Sequence, residues 1–314
     1  MSKKIILDCD PGHDDAVAIM LAAASDDIDL LGITCVGGNA TLENTKLNAL
    51  KVCSLIGRTD IKIYAGSDRP LKFDLVTAEH VHGQSGLDIE GDPIIVDENY
   101  NIEKLNAIDF IIKSCHEIED TIYLCPTGPL TNIALALKKD PTIKNKIKEI
   151  IFMGGAAMCL GNITPAAEFN IYVDPHAANI VLASGIPLTM MGLDVTHKVN
   201  VNEEIIRSIV SNNNKSSNFF ADLMKFYSRS HKQLFQINES PLHDPCVIGY
   251  LIDDTMFEGK FVNVEVEENS SLTRGKTVTD WLGVTKRKPN CKVIIEANHK
   301  KFFSILKKEL SKLN

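Results

Sequence analysis

Short apolar runs alternate along the chain with longer stretches whose apolar positions recur at helical spacing. Ile5-Ile-Leu7 predicts a buried strand, followed by an acidic turn and a helix over Ala16 to Ala24. Leu30 to Val36 predicts the next strand, ending in Gly37-Gly38-Asn39. A helix from about Thr41 to Ile56 then stops at Gly57, a residue suited to a left-handed helix terminus. Ile61 to Ala65 predicts a strand, and residues 66–100 a long loop region. A helix over 103–115, a strand from Thr121 to Cys125 and a helix opening near Pro129 follow. Glu149 to Met153 predicts a strand ending in Gly154-Gly155; a helix over 175–184 leads to a strand from Leu188 to Met191. The last third predicts helices over about 202–212 and 216–235 and another from Pro245. Strands near 261–267 and 292–296 and a closing helix complete it. Strand–helix alternation with nearly continuous apolar strands predicts an α/β fold, an open, mostly parallel sheet flanked by helices. Without repeats or a Pro/Ser-rich linker, residues 1–314 are expected to form one domain.

The unusual residues fall just after strands. Asp10, Asn39, Thr127, Gly154 and Asp194 each follow the carboxyl end of an expected strand, the edge where open α/β sheets bind ligands. The densest chemistry is Asp8-Cys-Asp-Pro-Gly-His-Asp-Asp15, which sets four carboxylates around a Pro-Gly turn. Crowded carboxylates raise one another's pKa unless a cation joins them, and an oxygen-rich, sulfur-free cluster suits calcium or magnesium. Asp14 or Asp15 capping the following helix accounts for only one of the four. Asp8 is the expected structural member. Pro241-Leu-His-Asp-Pro245 offers a second acid, with Asp244 biased toward extended backbone by Pro245. Taken alone, Asp244 reads more readily as a cap and His243 as a core residue; beside the acidic turn they offer an oxygen ligand and a titratable group.

Composition narrows the function. Lys and Arg number 33 against 41 Asp and Glu, a net charge of −8, which argues against sequence-independent nucleic-acid binding. No apolar run approaches the roughly 20 residues of a membrane span. The opening Met-Ser-Lys-Lys-Ile-Ile-Leu-Asp is too short in apolar residues for a secretory signal. The eight cysteines, at 9, 35, 53, 115, 125, 159, 246 and 291, form no C-x-x-C pair and read as reduced thiols. A cytoplasmic protein is expected.

Taken together, these residues resemble the calcium-dependent nucleoside hydrolases, the inosine–uridine-preferring or ribonucleoside hydrolase family. The likeness is carried in order by Asp8–Asp15, Val36-Gly-Gly-Asn39, Val81-His-Gly-Gln-Ser-Gly-Leu87 and Pro126-Thr-Gly-Pro-Leu-Thr-Asn132. It continues through Met153-Gly-Gly155, Gly161-Asn162, Ala167-Glu-Phe-Asn-Ile-Tyr172, Gly192-Leu-Asp-Val-Thr-His197 and Leu242-His-Asp-Pro245. The resemblance implies hydrolysis of the N-glycosidic bond of a ribonucleoside to ribose and free base. It implies that Asp10, Asp15, Asp244 and the carbonyl of Thr127 hold Ca2+, which contacts the attacking water and ribose hydroxyls. Asp10 would be the general base, Asp14 the 2′-hydroxyl partner and His243 the proton donor to the leaving base. Asn39, Asn162, Glu168, Asn170 and Asp244 would complete the ribose contacts. A homo-oligomer, dimer or tetramer, serving nucleoside salvage is the family expectation.

The chemistry is consistent with those roles. Glycosidic cleavage builds positive charge on the sugar, which carboxylates and amide oxygens favour, and the departing base needs a proton. Alternatives stand beside several residues: Asn39 as a turn residue, Glu168 as a partner of a surface Lys, and His82 as an exposed loop histidine rather than a residue closing over the base. Tyr227 and His231 share a helix face at i, i+4, either near the leaving base or half-buried. His231 departs from the tyrosine pair of broad-specificity members and leaves purine or pyrimidine preference open. Two other functions compete. Strand-Asp8-x-Asp10 resembles the nucleophile motif of haloacid dehalogenase-type phosphatases, although Pro11 replaces the expected residue. A non-catalytic nucleoside- or calcium-binding protein would use the same pocket. A nucleoside phosphorylase would need an Arg/Gly-rich phosphate cradle, and none is evident.

Overall fold

The computed structural model describes residues 2–90, 93–235 and 240–314, with His231 and Phe235 described by backbone alone. In chain order the elements begin β1 (Lys3–Cys9), α1 (His13–Ala24), β2 (Ile28–Cys35), α2 (Leu42–Leu55), β3 (Ile63–Ala65) and α3 (Glu79–His82). They continue α4 (Ala107–Glu117), β4 (Ile122–Pro126), α5 (Thr131–Lys139), β5 (Ile147–Met153), α6 (Phe169–Val173), α7 (Pro175–Leu182), β6 (Leu188–Met191) and α8 (Leu193–Thr196). The remainder is β7 (Asn200–Val201), α9 (Glu203–Val210), α10 (Lys215–Phe235), β8 (Ser240–Pro241), α11 (Pro245–Ile252), β9 (Phe257–Val266), β10 (Thr277–Asp280), β11 (Cys291–Ala297) and α12 (His299–Leu310).

Among the described residues, nine strands form one sheet in the order β10-β9-β11-β6-β5-β4-β1-β2-β3. The run from β11 to β3 is parallel, and β9 and β10 add two antiparallel strands at one edge. Period-two alternation sends Ile5, Leu7 and Cys9 into one apolar layer and Ile6 into the other; Ile151 and Ile150 divide the same way. The sheet is therefore covered on both faces, as its nearly continuous apolar strands require. All twelve residues of α1 are buried, so the helix that carries Asp14 and Asp15 cannot shift without disturbing the core.

This order positions the site. The chain moves outward from β1 to β2 and β3, then returns to the other side of β1 with β4, β5 and β6. The strand order thus reverses between β1 and β4, and the crevice beyond that point is where such sheets hold ligands. Asp10 follows β1 and Thr127 follows β4.

Several boundaries differ from the sequence expectation. α1 begins at His13 rather than Ala16, which puts Asp14 and Asp15 inside its first turn. α4 begins at Ala107 rather than 103, because Asn106 caps it by accepting the Asp109 N–H. The expected 66–100 loop contains α3. β9 starts at Phe257, and β10, with its polar sequence Thr-Val-Thr-Asp, was not anticipated. Asp244 is not extended: its φ of −67° and ψ of −38° are helical, and its side chain makes no cap hydrogen bond to α11. A buried site outweighs the local bias that Pro245 imposes.

Candidate active site

The floor is built from the turn between β1 and α1. Thr34 Oγ1 and Asn132 Nδ2 donate to Asp8 Oδ1 at 2.6 and 2.8 Å, and Thr127 N donates to the Asp8 carbonyl at 2.8 Å. Asp8 thereby ties β1 to β2 and β4, a structural position. Burial pushes its carboxyl up to about 7. Asp10 Oδ2 accepts the Asn39 N–H at 2.6 Å, whereas Asp10 Oδ1 is buried with no hydrogen-bond partner among the described residues. Gly38 and Gly128 allow this placement, since a Cβ on either would collide with the Asp10 carboxylate. Asp15 Oδ2 accepts from Gly12 N and Asn39 Nδ2 at 3.0 and 3.1 Å, and Asp15 Oδ1 from Thr127 Oγ1 at 2.8 Å. The capping alternative therefore holds for Asp15 in part: it satisfies one orphan N–H of α1 while facing the cluster.

Asp14, Asp15 and Asp244 each bring a carboxylate oxygen within 4.8 Å of the others. The expectation put Asp10 in the metal set and Asp14 on the ribose; in the structure it is Asp14 that joins this closest triple, with Asp10 beside it. Two full charges at that separation repel by on the order of 3 kcal/mol at an effective dielectric near 20. The group must hold protons or a cation. Burial, then the charge of Asp15, pushes Asp14 up to about 7, and burial followed by the charges of Asp14, Asp15 and Asp10 raises Asp244 well above the carboxylate range. Asp10 is raised in the same way, by burial and then Asp15. Among the described residues no Lys or Arg lines the cavity above. An orphaned carboxylate oxygen and clustered carboxylates, with no Lys or Arg lining the cavity among the described residues, make a donor set that fits a hard divalent cation.

Above the floor lies a cavity of about 410 Å3, lined by Asp14, Asn39, His82, Thr127, Asn162, Glu168, Asn170, Tyr227, His243 and Asp244 among others. Asp10 and Asp15, fully buried, lie beneath its floor. The side chain of His231, on α10, lies outside the described residues.

One wall is held by main-chain hydrogen bonds. Glu168 accepts the N–H groups of Gly155, Asn170 and Ile171 at 2.9, 2.9 and 3.2 Å, so it caps α6, and it pairs with no Lys among the described residues. Asn170 Nδ2 donates to the Thr127 carbonyl at 2.7 Å, and Asn162 Oδ1 accepts the Phe169 N–H at 2.9 Å.

The opposite wall is aromatic. His82 is buried rather than exposed. Its Nδ1 lies 3.1 Å from His13 Nδ1, while His13 Nε2 donates to the Asp88 carbonyl at 2.8 Å. The His13 ring stacks on those of His82, Phe226 and Tyr227, and His82 stacks on Tyr227. His243 Nδ1 lies 2.7 Å from Thr196 Oγ1, and the His197 ring, another cavity-lining group, stands 5.7 Å away. Burial lowers the pKa of His197. The sequence reading made no use of His13, His197, Phe226 or Thr196. His13 lies inside the acidic turn and Thr196-His197 follow Asp194 after β6, but nothing local announces that these rings converge with α10.

The model of the inosine-uridine preferring nucleoside hydrolase family matches residues 5–304. The pyrimidine-specific ribonucleoside hydrolase RihA of Photobacterium profundum is 42% identical over 312 residues, 99% of each chain. RihA of Escherichia coli is 42% identical over 311 residues, again 99% of each. The solved purine-preferring ribonucleoside hydrolase from Gardnerella vaginalis has a TM-score of 0.90 at 33% identity, covering 98% of each chain. A plant nucleoside hydrolase has 0.91 at 31% identity, covering 99% of each. The phosphatase and binding-only alternatives are thereby set aside: the chain belongs to the inosine-uridine preferring nucleoside hydrolases and cleaves the N-glycosidic bond of ribonucleosides.

Proposed function

We propose that this enzyme is calcium-dependent and prefers pyrimidine ribonucleosides. The observation that carries the metal reading is the buried carboxylate cluster with its orphaned Asp10 Oδ1. Asp10, Asp15, Asp244 and the Thr127 carbonyl would hold the ion, and Asp14, which lines the cavity where Asp15 does not, would take the ribose 2′-hydroxyl. When bound, the cation supplies positive charge that gathers ribose hydroxyls and water and makes that water a stronger acid. Asp10 would accept the water's proton, its carboxylate held in one orientation by Asn39 N–H. As the glycosidic bond breaks, positive charge grows on the sugar. Glu168, with Asn39, Asn162 and Asn170, would meet that charge and the ribose hydroxyls; Glu168 is already fixed by three N–H groups and does not reorganise. His243 would pass a proton to the departing base, with His82 and Tyr227 around it; His231 of α10 is the third residue assigned to the base.

The pyrimidine preference is taken from the relatives at 42% identity, whose names state it. We further place the enzyme in the cytoplasm as one domain and a homo-oligomer, dimer or tetramer. The eight unpaired cysteines favour a reducing compartment. The test is release of ribose and free base from uridine, cytidine, inosine and adenosine without phosphate, with and without chelator and with Ca2+ or Mg2+ restored. Chelator-sensitive release, restored best by Ca2+ and fastest from uridine or cytidine, is the expected result. Chelator-insensitive release would overturn the metal reading, and faster release from inosine the base preference.

A further inference from the structure

The proton donor of the proposed reaction is held by a residue that no part of that mechanism uses. His243 Nδ1 lies 2.7 Å from the Thr196 hydroxyl, and both side chains are buried. Thr196 ends α8, the short helix directly after β6, and its own N–H bonds the Gly192 carbonyl at 3.1 Å. α8 is fastened at its other end too. The Asp194 carboxylate accepts the N–H groups of Ala157, Met158 and Cys159 at 2.7, 2.8 and 3.1 Å. The hydroxyl is therefore delivered by a sheet edge and a pinned turn, not by a loop that adapts to His243.

We infer that Thr196 is a positioning residue for protonation of the leaving base. The inference rests on the reading of His243 as the donor. With Nδ1 engaged by Thr196, proton transfer to the base runs through Nε2. In the step, the glycosidic electron pair leaves with the base, the base nitrogen takes the Nε2 proton, and His243 is left with its proton on Nδ1. A hydroxyl accepts the Nδ1–H before and after that transfer, so the ring need not turn as the proton leaves. Being neutral, the hydroxyl orients the ring without adding charge to it. Removing it takes an acceptor from Nδ1–H in a buried setting and loosens the orientation of the ring.

The test separates protonation from every other part of the reaction. Steady-state kcat and KM are measured for wild type, Thr196→Val, Thr196→Ala, Thr196→Ser and His243→Ala. The two substrates are the nucleoside hydrolysed fastest and 4-nitrophenyl β-D-ribofuranoside, whose leaving group departs as a stable anion without a proton. Thermal melting and metal content accompany each variant. Expected is a roughly ten- to hundredfold fall in nucleoside kcat for Val and Ala, a part of the ~10²–10⁴ that a general acid supplies. KM and 4-nitrophenyl riboside turnover stay within about twofold, and Ser restores nucleoside turnover. If Val and Ala match wild type on the nucleoside while His243→Ala loses activity, the inference fails and the donor reading stands. If Val and Ala lose both substrates equally, or fail to fold, Thr196 is structural and the inference is overturned. If His243→Ala itself keeps nucleoside turnover, the donor reading falls, and the inference with it.

Discussion

The two sides of the cavity are made differently. The floor consists of carboxylates from one short stretch, the end of β1 and the start of α1, joined by Asp244, and the geometry of that stretch is set by main chain: Thr127 N on the Asp8 carbonyl, Asn39 N on Asp10, Gly12 N on Asp15. The opposite wall gathers His82 from α3, Tyr227 from α10 and His243 from the approach to α11. Its contacts are between rings and side chains carried by separate helices. Main-chain hydrogen bonds at a sheet edge leave a floor side chain little room to move. A stack of rings from three helices repacks with one substitution. The floor should therefore govern the rate for every nucleoside, and the stacked rings of the wall, His243 with its proton apart, the ratio between nucleosides.

The largest effect should come from Asp10→Asn. Loss of the proton acceptor is expected to lower kcat by roughly 10²–10⁴-fold, equally for uridine and inosine, while titration calorimetry still finds a bound cation. Unequal losses between the two bases would break the division between floor and wall. Turnover near wild type would remove Asp10 as the base.

Removing the cation should expose the floor's crowding. In the metal-free native state Asp8 and Asp14 titrate at about 7, against about 3.8 for an ordinary carboxyl. Between those values the native state holds protons that the unfolded chain has released. Stability of the metal-free protein should accordingly be highest below about pH 4 as far as these groups go, and fall as pH rises through 7. A saturating cation held by Asp10, Asp15 and Asp244 would offset the charge that crowds Asp14 beside it and let the cluster release its protons, so the melting temperature gained on adding Ca2+ should grow from pH 5 to pH 8. A gain independent of pH would mean that the carboxylates are ionised without the metal.

The same contrast explains what was legible in the sequence. The sheet followed from apolar strands broken by Gly, and the floor from four Asp residues within eight positions, because both are local patterns. Glu168 and Asn162 became legible only through family resemblance, since Glu168 looks like any polar residue until Gly155 folds back onto it. The wall was read least well. His13 and Thr196 act through partners 69 and 47 residues away. Asp244 defied its local rule: its backbone is helical although Pro245 follows it. β10 was missed because a polar edge strand carries no apolar run.

On the wall, His82→Ala should change selectivity more than rate. The ring is stacked against both His13 and Tyr227, so its removal opens the side of the cavity facing the base. The ratio of kcat/KM for uridine to that for inosine should move by about tenfold, the size of one lost hydrogen bond or stacking contact. A parallel loss for both nucleosides would assign His82 to the chemistry common to them and break the comparison from the other side.

The smallest effect belongs to Asp8→Asn. Asp8 belongs to the floor by sequence but faces Thr34 and Asn132 rather than the cavity, and its Oδ2 is buried with no hydrogen-bond partner among the described residues. With its carboxyl at about 7, burial keeps it protonated through much of the acid range, and Asn copies the shape of that neutral form. Oδ1 of the amide can still accept from both partners. At about pH 4 stability should change by about 1 kcal/mol or less, with kcat unaffected. As pH rises from about 4 to 7 the variant should gain on wild type, because only the wild type must keep a proton that its unfolded chain has released, and the gain levels off above 7. Denaturant unfolding at pH 4 and pH 7.5 measures the difference. A loss at pH 7.5 in place of the gain would mean that Asp8 is ionised in the native state and that its charge, not its shape, holds β1 against β2 and α5.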